Sequence, residues 1–102
     1  MKRLIAAAFL LAAAIPASAE TIRVEVKDLA FSPAQVTAHV GDTVEWANAD
    51  FIAHTATAKN HDWDVSLPAS KTGKVVLKKA GTVAYFCRFH PNMTGQITVE
   101  AK

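Results

Sequence analysis

Short alternations of apolar and polar residues recur from residue 21 to residue 100, and that period of two commits the chain to strands. Ile22, Val24 and Val26 alternate with Arg23, Glu25 and Lys27, and Val36, Ala38 and Val40 alternate with Thr37 and His39. Successive side chains of a strand point to opposite faces, so each run offers one face to a core and one to water. Gly41-Asp42 turns the chain into Thr43-Val44-Glu45-Trp46, and Ala80-Gly81 turns it into the β-branched and aromatic run 82–87. Further strands read at 54–58, 74–79 and 96–100, the last with Ile97 and Val99 inward. Residues 59–73 hold Asn60, Asp62, Pro68, Ser70 and Gly73 and read as a long surface connection anchored by Trp63 or Val65. The expected fold is all-β, a Greek-key β-sandwich of seven to eight strands.

The first residues follow another rule. Lys2 and Arg3 precede an uncharged apolar run over residues 4–15, Pro16 breaks it, and Ala17-Ser18-Ala19 supplies small residues. That is the layout of a secretory signal, with cleavage between Ala19 and Glu20. As a helix the run would reach only about 18 Å at 1.5 Å per residue, short of a ~30 Å hydrocarbon core. Residues 1–19 are therefore expected to be a signal peptide and residues 20–102 a periplasmic domain with no stable membrane insertion. Lys2 and Arg3 leave with the signal, taking 11 basic residues to nine against nine acidic ones. That balance gives no reason to expect a nucleic-acid or anionic-membrane partner.

A secreted domain this small often relies on disulfides, but Cys87 is the only cysteine. An unpaired thiol in an oxidising compartment needs burial, a second chain or a metal. Cys87-Arg88-Phe89-His90-Pro91-Asn92-Met93 supplies a thiolate, an imidazole and a thioether at C-x-x-H-x-x-M spacing. Thiolate and thioether are soft donors that suit Cu(I), and imidazole suits both copper oxidation states. Zinc has little use for a thioether, and hard cations would ignore the set. Pro91 disfavours helical geometry at His90, so the segment should form a tight loop that gathers its first, fourth and seventh side chains. A fourth donor must come from elsewhere. His39 lies on the polar face of its strand and His61 in the irregular stretch, whereas His54 begins a strand after the loop 50–53.

These pieces resemble the plastocyanin-like cupredoxins, and most closely the amicyanin-like group. The resemblance rests on Phe31-Ser32-Pro33, Val40-Gly41-Asp42-Thr43-Val44, Trp46-Ala47-Asn48-Ala49-Asp50, His54-Thr55-Ala56-Thr57-Ala58 and the loop from Cys87 to Gly95. The two-residue gap between His90 and Met93 is that of the short-loop members. The resemblance implies one copper ion cycling between Cu(I) and Cu(II), with His54, Cys87 and His90 as equatorial ligands and Met93 as a weak axial one. It implies an electron carrier, not an enzyme, working as a monomer between redox proteins, with a dehydrogenase as donor and a c-type cytochrome as acceptor. His90 would be the electron port inside an apolar collar of Pro33, Phe51, Ile52, Phe89 and Pro91.

Two positions depart from the family pattern. Thr55 stands where many relatives have Asn, which ties the two ligand loops together, so a looser tie is expected. Arg88-Phe89 replaces Thr-Pro, placing either a fixed positive charge beside the thiolate or a solvated surface arginine. Copper trafficking or tolerance is the rival function, but such proteins are rich in Met or His, and here only Met93 accompanies Met1. A copper oxidase or reductase would need an open coordination position or a second ligand cluster, and the sequence has none.

Overall fold

A computed structural model describes residues 18–102; all but the last two residues of the expected signal peptide lie outside the described residues. The described chain is all-β, with nine strands. They are β1 (Thr21–Lys27), β2 (Ala30–Ser32), β3 (Gln35–His39), β4 (Thr43–Asn48), β5 (His54–Ala58), β6 (Asp64–Leu67), β7 (Thr72–Val76), β8 (Gly81–Cys87) and β9 (His90–Glu100). One sheet runs β2-β1-β4-β7 and the other β3-β9-β8-β5-β6. β1 pairs with β4 and β3 with β9 in parallel, and the remaining pairs are antiparallel. Among the described residues no helix is long and apolar enough to cross a membrane.

The alternating runs meet face to face. Val24, Val26, Val44, Trp46, Tyr85 and Ile97 are fully buried. Each such aliphatic side chain contributes about 1.5–3 kcal/mol by leaving water. Trp46 Nε1 donates to the Tyr85 hydroxyl at 3.2 Å, so the indole N–H of one of the two largest buried side chains finds its acceptor on the other. Phe31 packs edge-on against Tyr85 and Trp63 packs against Trp46, with ring centroids 4.7 and 5.3 Å apart.

Two expectations need correction. The stretch 59–73 is not one surface connection: β6 lies inside it, and β7 begins at Thr72 rather than Lys74 and ends at Val76 rather than Lys79. Half-buried Val65 and buried Leu67 alternate with Asp64 and Ser66, a period of two too short to stand out among turn formers. Leu77 is nevertheless buried, and its N–H goes to the Asp42 carbonyl at 2.8 Å. The strand count therefore exceeds the expected seven to eight, the second addition being β2. β1 and β2 form a hairpin whose turn residues Asp28 and Leu29 both have positive φ, 52° and 62°. Leucine is an unusual occupant of that conformation, which hid the turn from sequence reading.

Candidate metal centre

The segment that carries three of the expected donors is a tight hairpin with a defect. Arg88 and Phe89 make its turn, and Cys87 pairs directly with His90 across it. The preceding residue, Phe86, pairs with Thr94, so Pro91, Asn92 and Met93 are extra residues on one strand. Pro91 has no N–H to offer the ladder, consistent with a bulge at this point. Met93 is buried, 4 % exposed. The chain re-enters the sheet at Gly95 opposite Tyr85, where an added Cβ would overlap the tyrosine ring. Glycine is thus what allows the loop to close over the core.

His54, the first residue of β5, is brought to this hairpin from across the sheet. Its Nδ1 and that of His90 each lie 3.7 Å from Cys87 Sγ, and the three donor atoms fall within 4.8 Å of one another. The two imidazole rings meet edge to face, centroids 5.1 Å apart. His54 and Cys87 are buried, while His90 is half-buried at the surface. A metal with bonds of about 2.3 Å to sulfur and 2.0 Å to nitrogen at near-trigonal angles would separate sulfur from nitrogen by about 3.7 Å. The observed spacing matches. Among the described residues this is the one cluster of His, Cys, Asp and Glu with such convergence. His39 instead faces Asp42 and Glu100 at 4.0 and 3.3 Å, and His61 is exposed with φ 69° in the turn after β5.

The surroundings fix which nitrogen of His54 is free. Asp50 Oδ2 lies 2.8 Å from His54 Nε2, so the ring hydrogen sits on Nε2 and the bare Nδ1 points to the sulfur. Asp50 also accepts the N–H groups of Asp28 and Leu29, at 2.8 and 3.2 Å, tying the β1–β2 turn to His54. Burial pushes the Asp50 carboxyl up, but the Asp28 N–H, the His54 ring and the Leu29 N–H outweigh it and hold it below its usual value. Asn48 staples the intervening loop: its amide donates to the Ile52 and Leu67 carbonyls, both at 3.0 Å, and its oxygen accepts the Asp50 N–H at 2.9 Å.

Thr55 performs the tie that its short side chain put in question. Its N–H points at Cys87 Sγ at 3.4 Å, and its hydroxyl accepts the Arg88 N–H at 2.9 Å, linking the segments that carry His54 and Cys87. Arg88 is neither a lone charge nor a free one. Its Nε pairs with Asp64 at 3.3 Å, and its guanidinium lies 5.7 Å over the Phe89 ring. Phe51, Ile52 and Phe89 are exposed at 93, 49 and 55 %, and Pro33 and Pro91 are exposed as well. Leu29, half exposed, joins this group through its bond to Asp50. Sequence reading missed Asp50, Asp64 and Leu29. The only signal for Asp50 was a carboxylate four residues before a candidate ligand, and Asp64 and Leu29 had none.

A buried cysteine sulfur with two imidazole nitrogens converging on it, set on a two-sheet strand sandwich, defines a class, and the chain belongs to it: the family model for the cupredoxin-like domain matches residues 2–99. The methylamine utilization protein MauL of Methylorubrum extorquens is 30 % identical over 93 residues, covering 87 % of this chain and 82 % of that protein. Amicyanin of Paracoccus versutus is 27 % identical, covering 87 % of this chain and 70 % of its sequence. The crystal structure of that amicyanin superposes with a TM-score of 0.69 at 29 % identity, over 87 % of this chain and 88 % of that one. A purple cupredoxin from Nitrosopumilus maritimus shares the fold, with a TM-score of 0.71 at 23 % identity, over 78 % of this chain and 99 % of that one.

Proposed function

We propose that this chain is a type 1 (blue) copper protein that carries single electrons between redox proteins in the periplasm. His54, Cys87 and His90 are the equatorial ligands and Met93 the weak axial ligand. The observation that carries this reading is the convergence of Cys87 Sγ and the Nδ1 atoms of His54 and His90 within 4.8 Å. Bound copper supplies a one-electron couple between Cu(II) and Cu(I), and a trigonal N₂S set with a long axial sulfur is acceptable to both states.

The protein's own residues do the rest. Asp50 orients His54, the Thr55 N–H rests on the sulfur, and the buried walls exclude water. The half-exposed His90 edge is the port for electrons, and the exposed apolar side chains of Phe51, Ile52, Phe89 and Pro91, on the two segments that flank His54 and His90 in sequence, are its docking rim. A flat apolar rim suits brief docking, since it needs little reorganisation on contact. The resemblance to the amicyanin-like group makes a dehydrogenase the donor and a c-type cytochrome the acceptor. Cleavage after Ala19 would deliver residues 20–102 to the periplasm.

The test is the visible spectrum of purified protein after addition of Cu(II), beside Cys87→Ser. An intense thiolate-to-copper band lost in the variant is the expected result. Copper retained without colour would replace this reading with copper trafficking, and no uptake would remove copper altogether.

A further inference from the structure

The face of β5 opposite His54, Ala56 and Ala58 carries Thr55 and Thr57, and there a closed ring of hydrogen bonds lies just behind the sulfur. The Arg88 N–H donates to Thr55 Oγ1 at 2.9 Å; Thr55 Oγ1 lies 2.9 Å from Thr57 Oγ1; Thr57 Oγ1 lies 2.8 Å from Asp64 Oδ1. Arg88 Nε closes the ring on the same carboxylate oxygen at 3.3 Å. The direction of the ring follows from chemistry. A carboxylate only accepts, so the single hydroxyl hydrogen of Thr57 belongs to Asp64. Thr57 then has no hydrogen for Thr55, so Thr55 donates to Thr57. Its lone pairs are thereby left to accept the Arg88 N–H. Thr55 and Thr57 are 1 and 9 % exposed, so water is a poor substitute for either partner.

We infer that Asp64 and Thr57 are positioning residues for the Cys87 sulfur. By fixing the direction of the hydroxyl chain they clamp the backbone after Cys87 to the backbone after His54, and so hold the Thr55 N–H on Sγ. The register supports this: Asp64 is the cross-strand partner of Thr57, and Arg88 follows Cys87 directly. A donor on the sulfur withdraws electron density from the thiolate and favours the reduced metal. The ring therefore raises the reduction potential of the site. This inference rests on the blue-copper reading above.

Thr57→Val removes the acceptor for Thr55 and the donor to Asp64 while keeping the shape. It should shift the Cu(I)/Cu(II) ratio about tenfold toward Cu(II) at fixed solution potential, a fall of about 59 mV for one electron. Thr57→Ser should restore the wild-type potential. The double variant Asp64→Ala/Arg88→Ala removes a neutral pair from the surface, leaves the net charge unchanged and should lower the potential in the same direction. In copper-free protein the Arg88 amide should exchange with solvent faster in Thr57→Val and at the wild-type rate in Thr57→Ser. An unchanged potential in folded Thr57→Val or in the double variant, or unchanged Arg88 exchange, would overturn the inference. Absence of a thiolate–copper band in the wild type would instead overturn the copper reading, and the exchange measurement would still judge the ring.

Discussion

The carboxylate of Asp50 lies 2.8 Å from Nε2 of His54, four residues further along the chain, while its two oxygens also hold the Asp28 and Leu29 N–H groups. One buried-edge carboxylate thus joins the β1–β2 turn to the imidazole proposed to bind the metal and fixes the tautomer. Outer partners of this kind are worth about 10–100-fold in metal affinity. Asp50→Ala should therefore weaken Cu(II) binding by about that factor in a competition titration. Asp62→Ala, which removes a surface pair with Lys79 and a hydrogen bond from Asn60, should leave affinity unchanged.

Phe51 is 93 % exposed beside the ligand loop, and nothing in the fold requires a phenylalanine there. Phe51→Ala should leave the thermal midpoint and the visible spectrum as they are. Binding to the physiological redox partner should weaken about tenfold, or about 1.4 kcal/mol, seen as a higher concentration for half-maximal electron-transfer rate. Unchanged partner kinetics would remove Phe51 from the docking rim.

Tyr85 is the single tyrosine, so its titration can be read directly in the ultraviolet. Burial pushes its phenol up to about 12, and the Trp46 N–H only partly offsets that. Tyrosinate absorption should be absent from folded protein at pH 10, where unfolded protein is half ionised. The raised value contributes stability that is full below pH 10 and is lost as pH rises toward about 12. Tyr85→Phe leaves the Trp46 N–H buried without an acceptor and should cost about 1–3 kcal/mol in denaturant unfolding.

Asp42 accepts the backbone N–H groups of Glu20 and His39, both at 2.9 Å, and these hold its carboxyl below its ordinary value of 3.8. A lowered folded value means the stabilisation is present above pH 3.8 and is lost as pH falls through the folded value. Asp42→Asn should lower the thermal midpoint at pH 7, and its gap to the wild type should narrow below pH 3.8. A gap independent of pH would show that the charge plays no part.

Much of this was legible in the chain. Period-two alternation exposed the strands whose buried faces are long enough to repeat, such as Val24 and Val26 or Ile97 and Val99. It failed for β2 and β6, three and four residues long, where one or two inward side chains cannot establish a period. The loop from Cys87 to Met93 was readable because its sulfur and imidazole donors are close in sequence and their chemistry is unusual. The turn Asp28-Leu29 was not, because its left-handed conformation is held by Asp50 from the distant β4–β5 loop rather than by its own residues.

By itself the sequence determined the strand-rich sandwich and the soft donor set, because side-chain chemistry and local periodicity are properties of neighbours along the chain. Only the tertiary structure decided which residues hold those donors in place. Asp50 and His54 are bound to a distant turn, and Thr55, Thr57, Asp64 and Arg88 close their ring through pairings of β5 with β6 and of β5 with the end of β8. Hydrogen bonds act over about 3 Å, and whether two side chains come that close depends on strand order and register, which no short stretch of sequence encodes.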